Sequence, residues 1–425
     1  MKQSIFNSII DLTESSILIY NSYSDYFFVV KKEIKNILSD IQVIKNSFPK
    51  LYRRFIRARV YVGNNVDELY SLKERYEKIA CNDSNFFLMI NPTLDCNFKC
   101  WYCYEKHIKN SEMNNANLLN VKKLINNILS TNINSFTLSF FGGEPFLKYK
   151  QVVLPLIKYT SEQCDLRNIH FNISFTSNGS LLTSKRILEM KNMGPLAVQI
   201  TLDGNKEAHN QIRSFQNNKG SYNIIIQNIY NLISNGCHVR LRINYTQNSI
   251  DTIKDIISDF SSATDEMKKN MLIDFHRVWQ DKDSMDIIPK IRDLASEFRN
   301  NGFKVLYNSL NEIANCCYAD KKNTAIINFN GDVYKCSAKD FTKENRDGFL
   351  NEEGQIIWNQ PPQYRLSLKL DNKPCQRCRI APLCGGGCTN FIINRKKEGK
   401  EYCLYNYDND IIDKLILDRF ETYCK

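Results

Sequence analysis

No uninterrupted apolar stretch in this 425-residue sequence approaches the roughly 18 residues that a bilayer-spanning helix requires. The opening MKQSIFNSIIDLTESS sets Asp11 and Glu14 where a secretory signal would need an apolar run, so a cytoplasmic location is expected. The chain also lacks a solenoid-type repeat, a low-complexity tract and any block of basic residues. Lys and Arg number 57 against 46 Asp and Glu, a net +11 that is spread along the chain as a solvated, mildly basic surface. Neither nucleic acid nor a membrane is expected as a partner. With 43% hydrophobic and 24% charged residues, disorder and collagen-like composition are excluded, and the length allows more than one domain. What the chain has in excess is cysteine, fifteen in all. A disulfide framework does not suit a cytosolic chain of this size, so clustered thiols point to metal or redox chemistry.

From Phe86 onward, short β-rich apolar runs alternate with longer segments of helical period, the pattern of repeated βα units with parallel strands. Strands are predicted at Phe86 to Thr93, Ser135 to Phe141, His170 to Ser177, Ala197 to Asp203, His238 to Thr246 and Met271 to Val278. Helices are predicted at Asn117 to Leu129, Gln151 to Cys164, Ser184 to Met193, Tyr222 to Ser234 and Asp251 to Phe260, with Asn235-Gly236 as a C-terminal stop. Ligands of such α/β folds collect at the carboxyl ends of the strands. Residues 1–85 break the pattern. ILIYNSYSDYFFVV reads as a hairpin turning at Asn21 to Asp25, followed by helical Lys31 to Ile44 and Tyr52 to Ala58. Residues 281–312 read as a bridging helical segment around Ile287 to Phe298, and 313–425 as a loop-rich, cysteine-dense domain.

Just after the first predicted barrel strand, Cys96, Cys100 and Cys103 are spaced so that one loop can wrap a single inorganic cluster. Three thiolates on a four-iron cluster leave one iron free for an exogenous ligand. A zinc site would need a fourth donor, which His107 is close enough to supply.

The Cys96-x3-Cys100-x2-Cys103 spacing, with Tyr102 before the last cysteine, resembles the signature of the radical S-adenosylmethionine (radical SAM) enzymes. Gly142-Gly143-Glu144-Pro145, Ser177-Asn178-Gly179 and Thr201-Leu202-Asp203-Gly204 end the second, third and fourth predicted strands, where that family builds its cofactor site. The resemblance covers roughly residues 86–280 and implies a partial (β/α)6 TIM-like barrel. It implies that Gly142, Gly143 and Glu144 lie along the methionine amino group, that the Tyr102 backbone lies against the adenine, and that Thr201 meets the ribose. Arg213 offers a forked guanidinium for the methionine carboxylate, and Asn178 is a further candidate. It also implies chemistry carried by the cofactor: one electron from the reduced cluster cleaves the sulfonium, and the 5'-deoxyadenosyl radical takes hydrogen from substrate. An external one-electron donor such as flavodoxin or ferredoxin is then expected.

The C-terminal cysteines resemble the twin-cluster SPASM extension of radical SAM peptide-modifying enzymes. By that resemblance Cys375, Cys378, Cys384 and Cys403 hold a distal auxiliary cluster, and Cys317, Cys336 and Cys388 a nearer one, for three clusters in all, each 4Fe-4S. Adjacent residues seldom point the same way, so Cys316 is either a strained fourth ligand of the nearer cluster or leaves that position open. A structural zinc module of Cys375, Cys378, Cys384 and Cys388 is the alternative. Cys81, Cys164, Cys237 and Cys424 fall outside both patterns and read as small hydrophobic residues.

The same resemblance implies a precursor peptide or protein as substrate, with residues 1–85 similar to the small winged-helix, α+β leader-recognition domain of some peptide maturases, or else simply covering one barrel mouth. A thioether or carbon–carbon crosslink is the expected product. Formylglycine formation, as in anaerobic sulfatase maturases, is the alternative. In that family an aspartate follows the Gly-x4-Cys cysteine as proton acceptor, whereas here Ser337 follows Cys336 and Asp340 lies out of register. A non-catalytic iron–sulfur or zinc peptide-binding protein is a third reading. Asp274 and His276 share a strand face by their two-residue spacing and could position substrate.

Overall fold

A computed structural model of the chain describes residues 1–281, 287–306 and 316–423. Cys424 and the parts of the 281–312 segment at 282–286 and 307–312 lie outside the described residues. The described residues form two compact units. The larger comprises 83–281, 287–306 and 323–360. The smaller comprises 1–82, 316–322 and 361–423.

The larger unit is built on one sheet. Its strands are β1 Asn85–Ile90, β2 Ser135–Phe140, β3 His170–Ser177, β4 Leu196–Leu202, β5 His238–Tyr245, β6 Met271–Arg277, β7 Lys304–Leu306, β8 Thr324–Ile327, β9 Asp332–Tyr334, β10 Gly348–Leu350 and β11 Ile356–Trp358. The order is β7-β6-β5-β4-β3-β2-β1-β8-β9-β10-β11. Pairing is parallel from β7 to β8 and antiparallel thereafter, so the barrel is partial and does not close. The six predicted strands all form, within one to three residues of their expected ends.

Alternation explains their seating. In β5, Val239, Leu241 and Ile243 are buried against Ile225, Ile229 and Leu232 of the helix Tyr222–Ser234, while Arg240, Arg242 and Asn244 take the opposite face. The burial is what holds the helix: truncating Ile229 to alanine would cost about 2–5 kcal/mol. On β5 and β6 that opposite face carries Arg240, Arg242, Asn244, Asp274 and His276.

Three helical expectations need correction. Lys31 to Ile44 is two helices, Glu33–Ile37 and Ile41–Ser47, because Asp40 caps the second by accepting from the Val43 N–H at 3.0 Å. The helix after β2 begins with a π turn at Tyr149–Val153, and the stretch after β5 is 3-10 from Ile250 to Asp255 before one α turn. The short strands β8 to β11 also lie within the region read as loop-rich.

In the smaller unit, the predicted hairpin pairs Ser16–Asn21 with Tyr26–Lys31, and Asn7–Asp11 adds a third antiparallel strand on the far side of Ser16–Asn21. One face of this sheet packs Ile17, Ile19 and Phe28 against Ile44 and Phe55 of the helices that follow. The other packs Leu18 and Tyr20 against Ile412, Leu415 and Ile416 of the last helix, Asn409–Tyr423.

Candidate active site at the strand ends

The loop after β1 carries the first three cysteines and is braced by its own side chains. Thr93 Oγ1 donates to the Ser111 carbonyl at 2.7 Å, and the Asp95 carboxylate accepts from the Cys96 N–H at 2.8 Å and the Asn110 N–H at 3.0 Å. The Asp95 carbonyl accepts from the Glu144 N–H at 2.8 Å, fastening this loop to the end of β2. Gly143 is needed at that junction. Its φ is +50°, and a Cβ there would overlap the Asp95 carbonyl oxygen. The close approach that the double glycine allows is thus made to the cysteine loop itself.

Glu144 is fully buried, and its carboxylate accepts from the Ser177 hydroxyl at 3.0 Å, the Asn178 N–H at 2.8 Å and the Phe146 N–H at 3.0 Å. Burial pushes its carboxyl up to about 7 despite those donors. Asn178 donates to Asn97 Oδ1 at 2.8 Å and lies 3.9 Å from the Cys96 sulfur. The two predicted motifs at the ends of β2 and β3 are therefore one network around the cysteine loop.

A second network joins the ends of β4 and β5. The Tyr102 hydroxyl lies 2.8 Å from both oxygens of Asp203 and accepts from Arg213 Nη1 and Asn244 Nδ2, each at 3.0 Å. The Arg213 guanidinium also sits 3.7 Å from Asp203 through its Nε and over the Phe98 ring. Burial pushes the Asp203 carboxyl up to about 6 against the pull of Arg213. Thr201 is buried beside this network, in register with Arg242, which is in turn in register with Asp274.

Among the described residues, Arg213 Nε and Glu105 Oε1 are buried at this site without a hydrogen-bond partner. Glu105 follows Cys103 by two residues, and its carboxylate accepts from the Gly143 N–H. The one acceptor left over on Glu105 and the one donor left over on Arg213, each on a group otherwise held in place, match the ammonium and carboxylate of an amino-acid group. The donor set therefore fits the methionine end of S-adenosylmethionine. Cys96 is buried and Cys100 and Cys103 are half-buried; burial pushes the Cys96 thiol up to about 12 and that of Cys103 up to about 11, so as free thiols they hold their protons until iron displaces them. His107 Nε2 is 3.5 Å from the Cys103 sulfur.

The sequence reading missed Glu105, Asp203 as a side chain, Arg242 and Asn244. The Arg240, Arg242, Asn244 alternation along β5 was the signal available for two of them. Asp274 and His276 do meet, Oδ2 to Nε2 at 2.8 Å, with Arg240 Nε on the same oxygen at 2.7 Å. Burial raises the Asp274 carboxyl, but those two partners more than offset it and hold it below its ordinary range. Asp340 is paired with Lys106 at 3.0 Å.

In the smaller unit, Cys375, Cys378, Cys384 and Cys403 line one cavity of about 350 Å³ together with Tyr402, Tyr405 and Ile380. Gly385, Gly386 and Gly387 all have positive φ, which lets the chain fold back between Cys384 and Cys388. A room ringed by four thiols is a donor set that fits a cluster of four irons. Cys316 is buried beside Tyr76 and Leu370 while Cys317 is exposed, so the adjacent thiols do part company. Cys336 belongs to the larger unit and Cys317 and Cys388 to the smaller. Cys164 and Cys237 are buried in the main core.

Residues 90–260, which carry the three-cysteine loop seated at the end of β1, match the Radical SAM superfamily, and the chain is an enzyme of the radical SAM type. Membership brings S-adenosylmethionine and a 4Fe-4S cluster with it. Among its relatives, the chain is 22% identical over 421 residues to the radical SAM cyclopropyl synthase TigE of Paramaledivibacter caminithermalis, covering 92% of this chain and 84% of that protein. It is 25% identical over 384 residues to a cysteine-type anaerobic sulfatase-maturating enzyme of Clostridium novyi, covering 79% and 93%. Its fold is similar to that of anSMEcpe solved with AdoMet and the Cp18Cys peptide, with a TM-score of 0.59, 18% identity and coverage of 80% and 97%. It is also similar to Streptococcus suis SuiB bound to precursor peptide SuiA, with a TM-score of 0.54, 16% identity and coverage of 96% and 99%. No helix among the described residues is long and apolar enough to cross a membrane.

Proposed function

We propose that this enzyme matures a ribosomally made peptide in the cytoplasm, installing a thioether or carbon–carbon crosslink with the help of two auxiliary 4Fe-4S clusters. The observation that carries the reading is the cavity ringed by Cys375, Cys378, Cys384 and Cys403, because a four-thiol site remote in sequence from the core loop has no use in cofactor cleavage alone. When bound, the core cluster and S-adenosylmethionine supply a 5'-deoxyadenosyl radical that takes a hydrogen atom from the peptide. Cys96, Cys100 and Cys103 would hold that cluster. Glu105 and Arg213 would orient the amino-acid end of the nucleotide, with Tyr102 and Asp203 fixing the guanidinium. The polar inner face of β5 and β6 would meet the peptide, and Asp274 fixes the His276 ring there.

Auxiliary clusters would accept the electron left on the substrate, so the product is poorer by two hydrogens. The SuiB complex with precursor peptide SuiA and the anSMEcpe complex with the Cp18Cys peptide support a peptide as substrate. The Tyr26–Lys31 strand, paired on one side only among the described residues and exposing Tyr26 and Val29, suits main-chain pairing with a leader segment. Formylglycine formation is the second reading, favoured by the similarity to the sulfatase-maturating enzyme. Ser337 in the place of that family's aspartate weighs against it. Co-expression with candidate precursors drawn from short open reading frames flanking the gene, followed by mass spectrometry, is the test: intact cofactor cleavage with every candidate peptide of unchanged mass refutes crosslinking.

A further inference from the structure

The smaller unit buries more positive than negative charge beside the cysteines. Asp320, wholly buried, accepts from Arg365 Nε at 3.1 Å on one oxygen and from the Thr389 hydroxyl at 2.9 Å on the other, which also lies 3.3 Å from Lys369 Nζ. The Arg365 and Lys369 side chains are only 7% and 6% exposed. Arg365 also donates to Asn390 Oδ1 at 2.8 Å, a neutral partner, and Lys369 donates to the Gly387 carbonyl. Two buried cations thus share one carboxylate, and among the described residues no second carboxylate pairs with either. An uncompensated buried charge costs several kcal/mol, so a countercharge belongs here.

Once bound to a cluster as thiolates, the neighbouring cysteines would supply that countercharge. Lys369 runs along the triple-glycine turn: a Cβ on Gly386 would stand 3.8 Å from Lys369 Cδ and 3.9 Å from the Cys375 sulfur. Asp320 meanwhile ties together the two segments that follow Cys317 and Cys388, through its own N–H to the Cys317 carbonyl at 2.9 Å and through Thr389. A four-iron cluster with four thiolate ligands is a dianion, and a trianion once reduced, so a fixed cation beside it favours the reduced state.

We propose that Lys369, pinned with Arg365 on Asp320, is the built-in countercation of the four-thiol site and raises the reduction potential of the cluster that Cys375, Cys378, Cys384 and Cys403 would hold. The assignment makes Lys369 a positioning and tuning residue. It rests on the reading that these cysteines bind an iron–sulfur cluster.

The test uses the full-length chain with Cys96, Cys100 and Cys103 replaced by alanine, reconstituted anaerobically and titrated potentiometrically while the auxiliary signals are followed by electron paramagnetic resonance. Lys369→Met should make one signal at least tenfold harder to reduce, about 59 mV for one electron. Lys369→Arg should keep the wild-type potential, and Asp320→Asn should move the same signal in the opposite direction. Loss of the cluster in Lys369→Met with retention in Lys369→Arg supports the same assignment; loss in both overturns it. A Lys369→Met potential equal to wild type, with iron retained, overturns the proposal alone. A parent chain that takes up no iron and sulfide overturns the cluster reading and this proposal together.

Discussion

Replacing Gly143 by alanine should unseat the loop that carries the core cysteines. The glycine holds φ at +50°, a left-handed conformation that costs a residue with a Cβ about 1–2 kcal/mol. The added carbon would also stand 2.8 Å from the Asp95 and Leu94 carbonyl carbons, in the same space as the Asp95 oxygen. Ordinary contact begins near 3.5 Å, so the backbone just before Cys96 must retreat by roughly 0.7 Å or more, at about 1–3 kcal/mol for overpacking. The sum is roughly 2–5 kcal/mol, and the retreat breaks the hydrogen bond from the Glu144 N–H. Gly236→Ala is the matched control: its φ is +71°, but nothing lies within 4 Å of the new carbon, so only the backbone term applies. Denaturant unfolding of the metal-free chains and iron counts after reconstitution check the pair. Gly143→Ala with wild-type iron uptake, or no less stable than Gly236→Ala, refutes the reasoning.

Three further outcomes follow from the same geometry. The Glu144 carboxyl is raised by burial from an ordinary 4.5 to about 7, so the stability it contributes is complete below pH 4.5 and is lost as pH rises through 7; Glu144→Gln should flatten that slope by on the order of 3 kcal/mol in urea titrations run across the window. Arg213→Met should weaken S-adenosylmethionine binding by roughly 10- to 150-fold in equilibrium dialysis, the worth of a charged hydrogen bond, and Arg213→Lys should recover only part of it because the fork is lost; undiminished affinity would remove Arg213 from the site. Cys384→Ala should lower bound iron by one cluster, whereas Cys164→Ala and Cys237→Ala, both in the main core, should leave the iron count untouched; equal losses in all three would show mere misfolding.

Five of the six barrel strands were legible because each alternates an apolar face with a more polar one, and the first, Asn85–Ile90, because it is an apolar run too short for a helix to compete. The helix break at Asp40 was missed although aspartate is a strong N-cap, since Lys31 to Ile44 keeps its apolar period across it. The cysteine loop and the double glycine were legible in local pattern as features of the strand ends. Asp203 and Asn244 were not, because what matters is that Tyr102, from another strand end, brings its hydroxyl between them, and such a meeting is a property of the sheet order. Asp320 was invisible for the same reason: its partners come from residues 365, 369 and 389.

The small three-stranded sheet buries Leu18 and Tyr20 beneath the last helix, and Asp25 pairs with Arg419, 394 residues further on. On a ribosome adding about 5–20 residues per second, those side chains wait roughly 20–80 s for their cover. A segment made early is thus sealed late, which makes nascent-chain chaperones and slow dilution during refolding practical needs for anyone producing this enzyme.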